Sequence, residues 1–285
     1  MSAISVAGLR KSYGGLEAVR GVDFEIEEGE VFGLLGPNGA GKTTTVEILE
    51  GYRERDAGQV TVLGHDPQRP GPEFRQRIGV VLQQSDLWPN LTVQEVHRAF
   101  AGYYEHPRDV DEVIELVGLG EKADARIRTL SGGQKRRVDL GLALIGDPEL
   151  VFLDEPTTGF DPAARRAAWE IIRSLRSLGK TVLLTTHYLD EAEQLADRVA
   201  VMREGRIVRV GTPRELTSAE VDVEIRYRRD GEEILLHTTE ATRVLNELTT
   251  DALARGEELE RLEVRRPTLE EVYLALVQDE TEVER

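Results

Sequence analysis

Two kinds of hydrophobic pattern take turns along this chain. Residues 31–35, 78–82, 150–154 and 181–185 are short, largely apolar runs rich in Val, Ile, Leu and Phe, and each stops where a polar stretch begins. Such runs predict strands covered on both faces, with polar groups gathered at their carboxyl ends. Residues 4–13 and 19–26 alternate apolar and polar positions, which predicts half-exposed antiparallel strands. Residues 91 to about 146 carry mostly helical spacing and read as an insertion between sheet strands. A break is expected near Gly211, Thr212 and Pro213. Beyond it, 221–228 and 233–238 pair as a hairpin across 229–232, and 241–255 has helical spacing that stops at Gly256. A third strand follows at 259–265, then a helix at 268–278 entered through Pro267. Residues 279–285 are expected to fray. The expected domains are 1–213, with the helical insertion at about 84–146, and 214–285.

Composition narrows the class. With 285 residues, 40% hydrophobic and 31% charged, the chain can hold one large domain and a small appendage around a real core. The formal charge of −17 argues against a general nucleic-acid binder, and no nucleic acid is expected as a partner. Residues 214–285 hold ten arginines, no lysine and twenty acidic residues, so the acidic excess is concentrated there. Without cysteine, disulfides, thiolate zinc sites and cysteine nucleophiles are excluded. No segment approaches the ~18 apolar residues of a membrane helix, and the first residues lack the apolar run of a secretory signal. A cytoplasmic location is expected, with any membrane role supplied through a partner.

The polar strings that follow the apolar runs carry the chemistry. After 31–35 come Gly36, Pro37, Asn38, Gly39, Ala40, Gly41, Lys42, Thr43 and Thr44, in the spacing G-x-x-x-x-G-K-[ST]. A strand before and helical spacing after make this the setting of a phosphate-binding loop. Its glycines let backbone N–H groups turn in around phosphate oxygens, at a helix N-terminus that favours negative charge. Lys42 is expected to reach the β- and γ-phosphates of a nucleoside triphosphate, and Thr43 to place its hydroxyl on Mg²⁺. Lysine is scarce, five residues against 31 arginines, so Lys42 is not one sample of a lysine-rich surface.

LVFLDEP ends a buried strand on two adjacent carboxylates. Successive strand residues point to opposite faces, so Asp154 and Glu155 are expected to do different jobs. Asp154 would hold Mg²⁺ through water, and Glu155 would polarise an attacking water as general base. LSGGQKRRVDLGLAL reads as a serine N-cap, two glycines and a helix beginning near Gln134. Leu130, Ser131, Gly132, Gly133 and Gln134 then form a second anion-recognition surface, or simply a glycine-containing helix start. One phosphate loop already surrounds much of a triphosphate, so a second surface suggests closure by another molecule.

In this order and with these gaps, GPNGAGKTT, LSGGQ and LVFLDEP resemble the nucleotide-binding subunit of an ATP-binding cassette (ABC) transporter, over roughly residues 4–216. The resemblance implies an α/β P-loop NTPase cassette with a mostly parallel core sheet, an N-terminal antiparallel β subdomain and an inserted helical subdomain. A small C-terminal α+β domain follows it. It implies an ATPase using ATP and Mg²⁺, in which two subunits face head to tail. Each ATP then meets the phosphate loop of one subunit and the LSGGQ of the other, which is a second copy or a homologous subunit. Further positions match. Tyr13 resembles the aromatic that stacks on adenine. Gln83, followed by SDLWPNLTVQE, resembles the glutamine that senses Mg²⁺ and the attacking water, making it a metal contact with Thr43 and Asp154. Asp161 resembles a loop aspartate that communicates across the dimer, and reads equally as the N-cap of a helix opened by Pro162. His187 resembles the switch histidine that contacts the γ-phosphate.

The segment GTPREL and a small mixed domain ending RRPTLEEVYLALV are similar to exporters of the ABC-2 type, including antibiotic-resistance and polysaccharide exporters. This implies an ABC-2 type permease as partner and a location on the inner face of the cell membrane. Drug efflux is one expected cargo class, with polysaccharide, lipid and ion export open beside it. Leu87, Trp88 and Pro89 are the candidate permease contact, the alternative being that Trp88 is buried inside the insertion. A non-transport cassette acting on ribosomes or DNA would carry two cassettes or a long coiled coil. About ninety residues separate phosphate loop and LSGGQ here, too few for the latter. A phosphotransferase is disfavoured by LSGGQ.

Overall fold

The computed structural model describes residues 2–81, 87–218, 223–229 and 232–265. From the N-terminus the chain runs β1 (Ser2–Tyr13), β2 (Leu16–Glu27), β3 (Val31–Leu35), α1 (Lys42–Leu49), β4 (Ala57–Val62), α2 (Pro72–Arg77) and β5 (Ile78–Val81). It continues with α3 (Val93–Ala101), α4 (Val110–Leu116), α5 (Gly132–Leu144), β6 (Leu150–Asp154), α6 (Pro162–Ser177) and β7 (Thr181–Thr186). Then come α7 (Leu189–Leu195), β8 (Arg198–Arg203), β9 (Arg206–Gly211), α8 (Pro213–Ser218), β10 (Val223–Arg229), β11 (Glu232–Thr238), α9 (Ala241–Arg255) and β12 (Glu260–Arg265). Two compact units divide it, Met1–Val210 and Gly211–Arg285.

The first unit is built on a six-stranded sheet in the order β5-β6-β7-β3-β8-β9. β5, β6, β7, β3 and β8 pair in parallel. β9 returns from β8 across Glu204 and Gly205, a connection too short for anything but an antiparallel neighbour. The apolar runs are buried on both faces for a reason visible in the packing. Phe32, Leu34, Leu150, Phe152 and Leu183 face one core, shared with α1 and with a second sheet of order β2-β1-β4. Val31, Val151, Leu153, Val182 and Leu184 face the other, shared with α3, α4, α5 and α6. Each fully buried large apolar side chain contributes about 1.5–3 kcal/mol, so neither face can be left to solvent.

The antiparallel sheet adds a strand that the sequence pattern did not announce: β4 pairs with β1, Ile4 opposite Val62. β8 and β9 were likewise not expected. Among the described residues the insertion is helical as expected, in three α-helices with 3₁₀ turns at Gly120–Lys122 and Ile127–Thr129. Among the described residues no helix is long and apolar enough to cross a membrane.

The second unit has a three-stranded antiparallel sheet, β11-β10-β12, with Val223 opposite Thr238 and Arg229 opposite Glu232. α9 covers the expected residues and closes at left-handed Gly256 (φ 67°). The helix expected at 268–278 and the frayed end at 279–285 lie outside the described residues.

Candidate active site

Three parallel strands deliver their carboxyl ends to one place. β3 ends at the glycine loop, β6 at Asp154 and β7 at Thr186, next to His187. At Gly36 a Cβ would collide with the Met202 carbonyl, and at Gly41, where φ is 98°, with that of Ala18. Only glycine lets the loop fit against β8 and β2 and start α1 at Lys42. Thr45 Oγ1 donates to Gly41 O (2.9 Å) and helps fasten the first turn.

Lys42 lies buried with its ammonium in this loop. Nζ donates to the carbonyls of Gly36 (2.8 Å) and Pro37 (3.2 Å) and sits 3.7 Å from Glu155 Oε1. Burial lowers its pKa, against the opposing pull of Glu155 and Asp154. Asp154 accepts from Thr185 Oγ1, and the Thr43 side chain acts on the same carboxyl to favour its charged form. Burial raises its carboxyl pKa, and the Thr185 hydrogen bond opposes that. Thr43 and Asp154 thus bring two hard oxygen donors together beside Lys42, a donor set that suits Mg²⁺.

Strand alternation does not govern Glu155. The strand stops at Asp154, and Glu155 adopts a left-handed backbone (φ 46°), rare for a side chain of its size. Its N–H donates to Thr185 Oγ1 (3.0 Å), which holds the turn. The carboxylate therefore returns to the side of Lys42, beside Asp154 rather than opposite it. Oε1 is 3.2 Å from His187 Nδ1, and Oε2 accepts from Thr158 Oγ1 (3.1 Å). The His187 ring packs on Tyr188, 4.1 Å between centroids.

Ser131 starts α5 two residues earlier than the sequence pattern suggested. Its Oγ accepts from Gln134 N–H (3.2 Å) while Gln134 Oε1 accepts from Ser131 N–H (2.9 Å), so Gly132 and Gly133 already belong to the first turn. Ser131, Gly132 and Gly133 line a cleft of about 570 Å³ with Arg128, Lys135, Glu155 and Asp161. Residues 36–44 are not among its lining. Asp161 caps α6, accepting from the N–H groups of Ala163 (2.9 Å) and Ala164 (2.8 Å), with Pro162 at the first helical position. Leu130, beside the cleft, is buried.

Tyr13 stands at the tip of β1, 38% exposed, with Arg53 and Lys11 against its ring. Gln83 lies outside the described residues. Trp88 is 54% exposed and touches Phe100 edge-on, so the alternative that it is buried does not hold. Two residues that sequence reasoning passed over complete the site. Thr185 serves both carboxylate positions at once. Arg136 on α5 donates to the carbonyls of Asp154 (2.9 Å) and Pro156 (3.3 Å), tying the LSGGQ helix to the β6 end. The threonine pair before His187 and the basic run after LSGGQ were the only signals for them.

Comparison with known proteins points the same way. Residues 19–158 match the ABC transporter family. The Nod factor export ATP-binding protein I of Rhizobium sp. (strain N33) is 40% identical over 98% of this chain and 98% of its own length. The protein of that name from Paraburkholderia xenovorans is 44% identical over 79% of this chain and 75% of its own. Among solved structures, cbiO1 of Clostridium perfringens, part of an ABC transporter complex, aligns with a TM-score of 0.69 at 28% identity, over 77% of this chain and 92% of its own. A dimeric ATP-binding cassette in a post-hydrolysis state with ADP and Pi aligns at 0.65 with 25% identity, over 73% and 98%. An ATP-binding subunit of an ABC transporter covers 97% of this chain and 100% of its own at TM-score 0.72; at 23% identity it speaks for the fold.

Proposed function

The chain belongs to the ABC transporter family as an ATP-binding, ATP-hydrolysing subunit, and from that premise we propose that it powers an exporter by closing head to tail on two ATP molecules. The observation that carries this reading is the meeting of Lys42, Asp154, Glu155 and His187 at the ends of three parallel strands.

Each side chain has a derivable task. The backbone N–H groups of residues 36–44 and the Lys42 ammonium bind phosphate oxygens. Thr43 and Asp154 hold Mg²⁺, which when bound offsets phosphate charge. Glu155 takes the proton of the attacking water, its carboxylate aimed by Thr158 and by His187, which also contacts the γ-phosphate. Tyr13 carries the base. Ser131, Gly132 and Gly133 line a cleft that includes Glu155 but none of residues 36–44, and with Leu130 and Gln134 they serve the ATP of a facing subunit. Asp161, which lines that cleft, carries the state of one site to the other. ATP drives closure because the closed pair binds it better than either open subunit.

The relatives' names speak for export and leave this chain's cargo to its permease. An ABC-2 type permease is the partner that the C-terminal segment favours. Its contact surface on this reading is aromatic: Trp88, Phe100 and Tyr103 form an edge-to-face series. Beside it lies a groove of about 310 Å³ with Tyr52, Phe100, Tyr104 and Leu142 on its walls. The chain then sits on the inner face of the membrane through that partner. The deciding experiment is Glu155→Gln. It keeps ATP binding, lowers hydrolysis by about 10²-fold or more, as loss of a general base does, and accumulates a dimer by light scattering in ATP. Unchanged hydrolysis sinks the assignment. Co-purification with a polytopic membrane protein tests the transport half.

A further inference from the structure

Tyr13 is an awkward residue on which to rest a base. It sits at the end of a hairpin, 38% exposed, where little apolar packing restrains its ring. A side chain that must be ordered when ligand arrives weakens binding. The segment just after α1 supplies what packing does not. Asp56 holds the strand before Tyr13: it accepts from the Ser12 N–H (2.7 Å) and from Lys11 Nζ (2.8 Å), while its own N–H donates to Arg10 O (2.9 Å). Arg53, three residues earlier, places its guanidinium 5.3 Å from the centre of the Tyr13 ring, and Lys11 Nζ lies 5.6 Å from it.

Arg53 is itself fixed at both ends. Its Nε donates to Glu47 Oε2 (2.6 Å), on the last turn of the helix that begins with Lys42. Its backbone N–H donates to Glu47 O (3.1 Å). A continuous series, Glu47 to Arg53 to Tyr13, therefore joins the phosphate-loop helix to the base platform. No motif of the sequence accounts for it.

We propose that Arg53 is a positioning residue that holds the Tyr13 ring in place for the nucleotide base, with Glu47 as its anchor on α1. This rests on the reading of Tyr13 as the base platform. It makes base affinity depend on a residue that touches neither phosphate nor metal.

Titration of the full-length chain with a fluorescent ATP analogue, and with inorganic tripolyphosphate as competitor, tests this. Arg53→Ala is expected to raise the Kd for the ATP analogue about threefold, the scale of one cation–π contact at an exposed site. Arg53→Lys keeps the cation and is expected to recover part of that loss. Tyr13→Ala is expected to raise the Kd about tenfold, the scale of one base–aromatic stack. The double variant should match Tyr13→Ala alone, and tripolyphosphate affinity should stay unchanged in all of them. Unaltered or tighter ATP-analogue binding in Arg53→Ala, with Tyr13→Ala weakened, overturns the inference and leaves the platform standing. Additive losses overturn it too, because Arg53 would then act on the nucleotide directly. Weaker tripolyphosphate binding in Arg53→Ala would mean a distorted phosphate loop and overturns it as well. Unaltered binding in Tyr13→Ala removes the platform itself.

Discussion

Single side chains at this site are held by hydrogen bonds that serve two masters. Thr185 donates to Asp154 and accepts from the Glu155 N–H, so one hydroxyl fixes the Asp154 carboxylate and the backbone turn that aims the Glu155 one. Thr185→Val keeps the shape and removes both bonds. It is expected to cost about 1–3 kcal/mol of stability, as unmade buried hydrogen bonds do, and to lower hydrolysis as Glu155 loses its turn. Denaturant midpoints and turnover measure the two effects separately. Glu50, buried at the end of α1, reports on pH. Burial first, then Asp154 and Glu47, push its carboxyl up to about 8. The folded state then holds a proton that the unfolded state has released above its ordinary value of 4.5. Stability from this group is complete below that value and is lost as pH rises through about 8. Glu50→Gln should flatten this decline, read as the difference in midpoint from the parent chain between pH 5 and pH 8. Glu155 was legible as a carboxylate after a strand, but its left-handed turn was not, because local alternation carries no information about Thr185 thirty residues away.

At the scale of elements, helix starts double as functional surfaces. Ser131 spends its oxygen lone pair on the Gln134 N–H, which leaves its own proton free to donate outward. Asp161 satisfies two N–H groups of α6. Asp161→Ala is expected to cost about 1 kcal/mol of stability, whereas Asp161→Asn keeps an acceptor and costs less. If Asp161 also carries signals between sites, Asp161→Asn should lower the cooperativity of hydrolysis with ATP concentration while its melting midpoint stays near that of the parent. The buried strands β3, β5, β6 and β7, and the helix α9, were plain from their patterns, since burial on two faces or one writes directly into the residue order. β4, β8 and β9 were harder. β9 alternates partly and fully exposed positions, and β4 is an edge strand with little to bury, so neither writes a strong apolar run.

For the whole molecule, the parting into Met1–Val210 and Gly211–Arg285 bears on autonomy. All residues assigned to ATP chemistry lie in the first unit. A chain ending at residue 210 is expected to unfold in one cooperative transition and to bind ATP with affinity within about twofold of the full chain, well under the tenfold that 1.4 kcal/mol represents. Loss of cooperative unfolding, or of ATP binding, would show that residues 211–285 complete the fold. Removing them also removes most of the acidic excess, so the comparison should be repeated at two salt concentrations.

The order of residues by itself determined the phosphate loop, the LSGGQ turn, the carboxylate pair, the buried strands and the family they signal. Each depends on neighbours within a few positions, where spacing and chemistry coincide. Tertiary structure alone decided that Asp154 and Glu155 face the same lysine, that Thr185 holds both, and that Arg53 braces Tyr13. It also decided that Ser131, Gly132 and Gly133 share a cleft with Glu155 and Asp161. Those facts join residues far apart in the chain: folding β3, β6 and β7 side by side gathers Lys42, the two carboxylates and Thr185, and the segment between α1 and β4, fastened to β1 through Asp56, brings Arg53 to the Tyr13 ring.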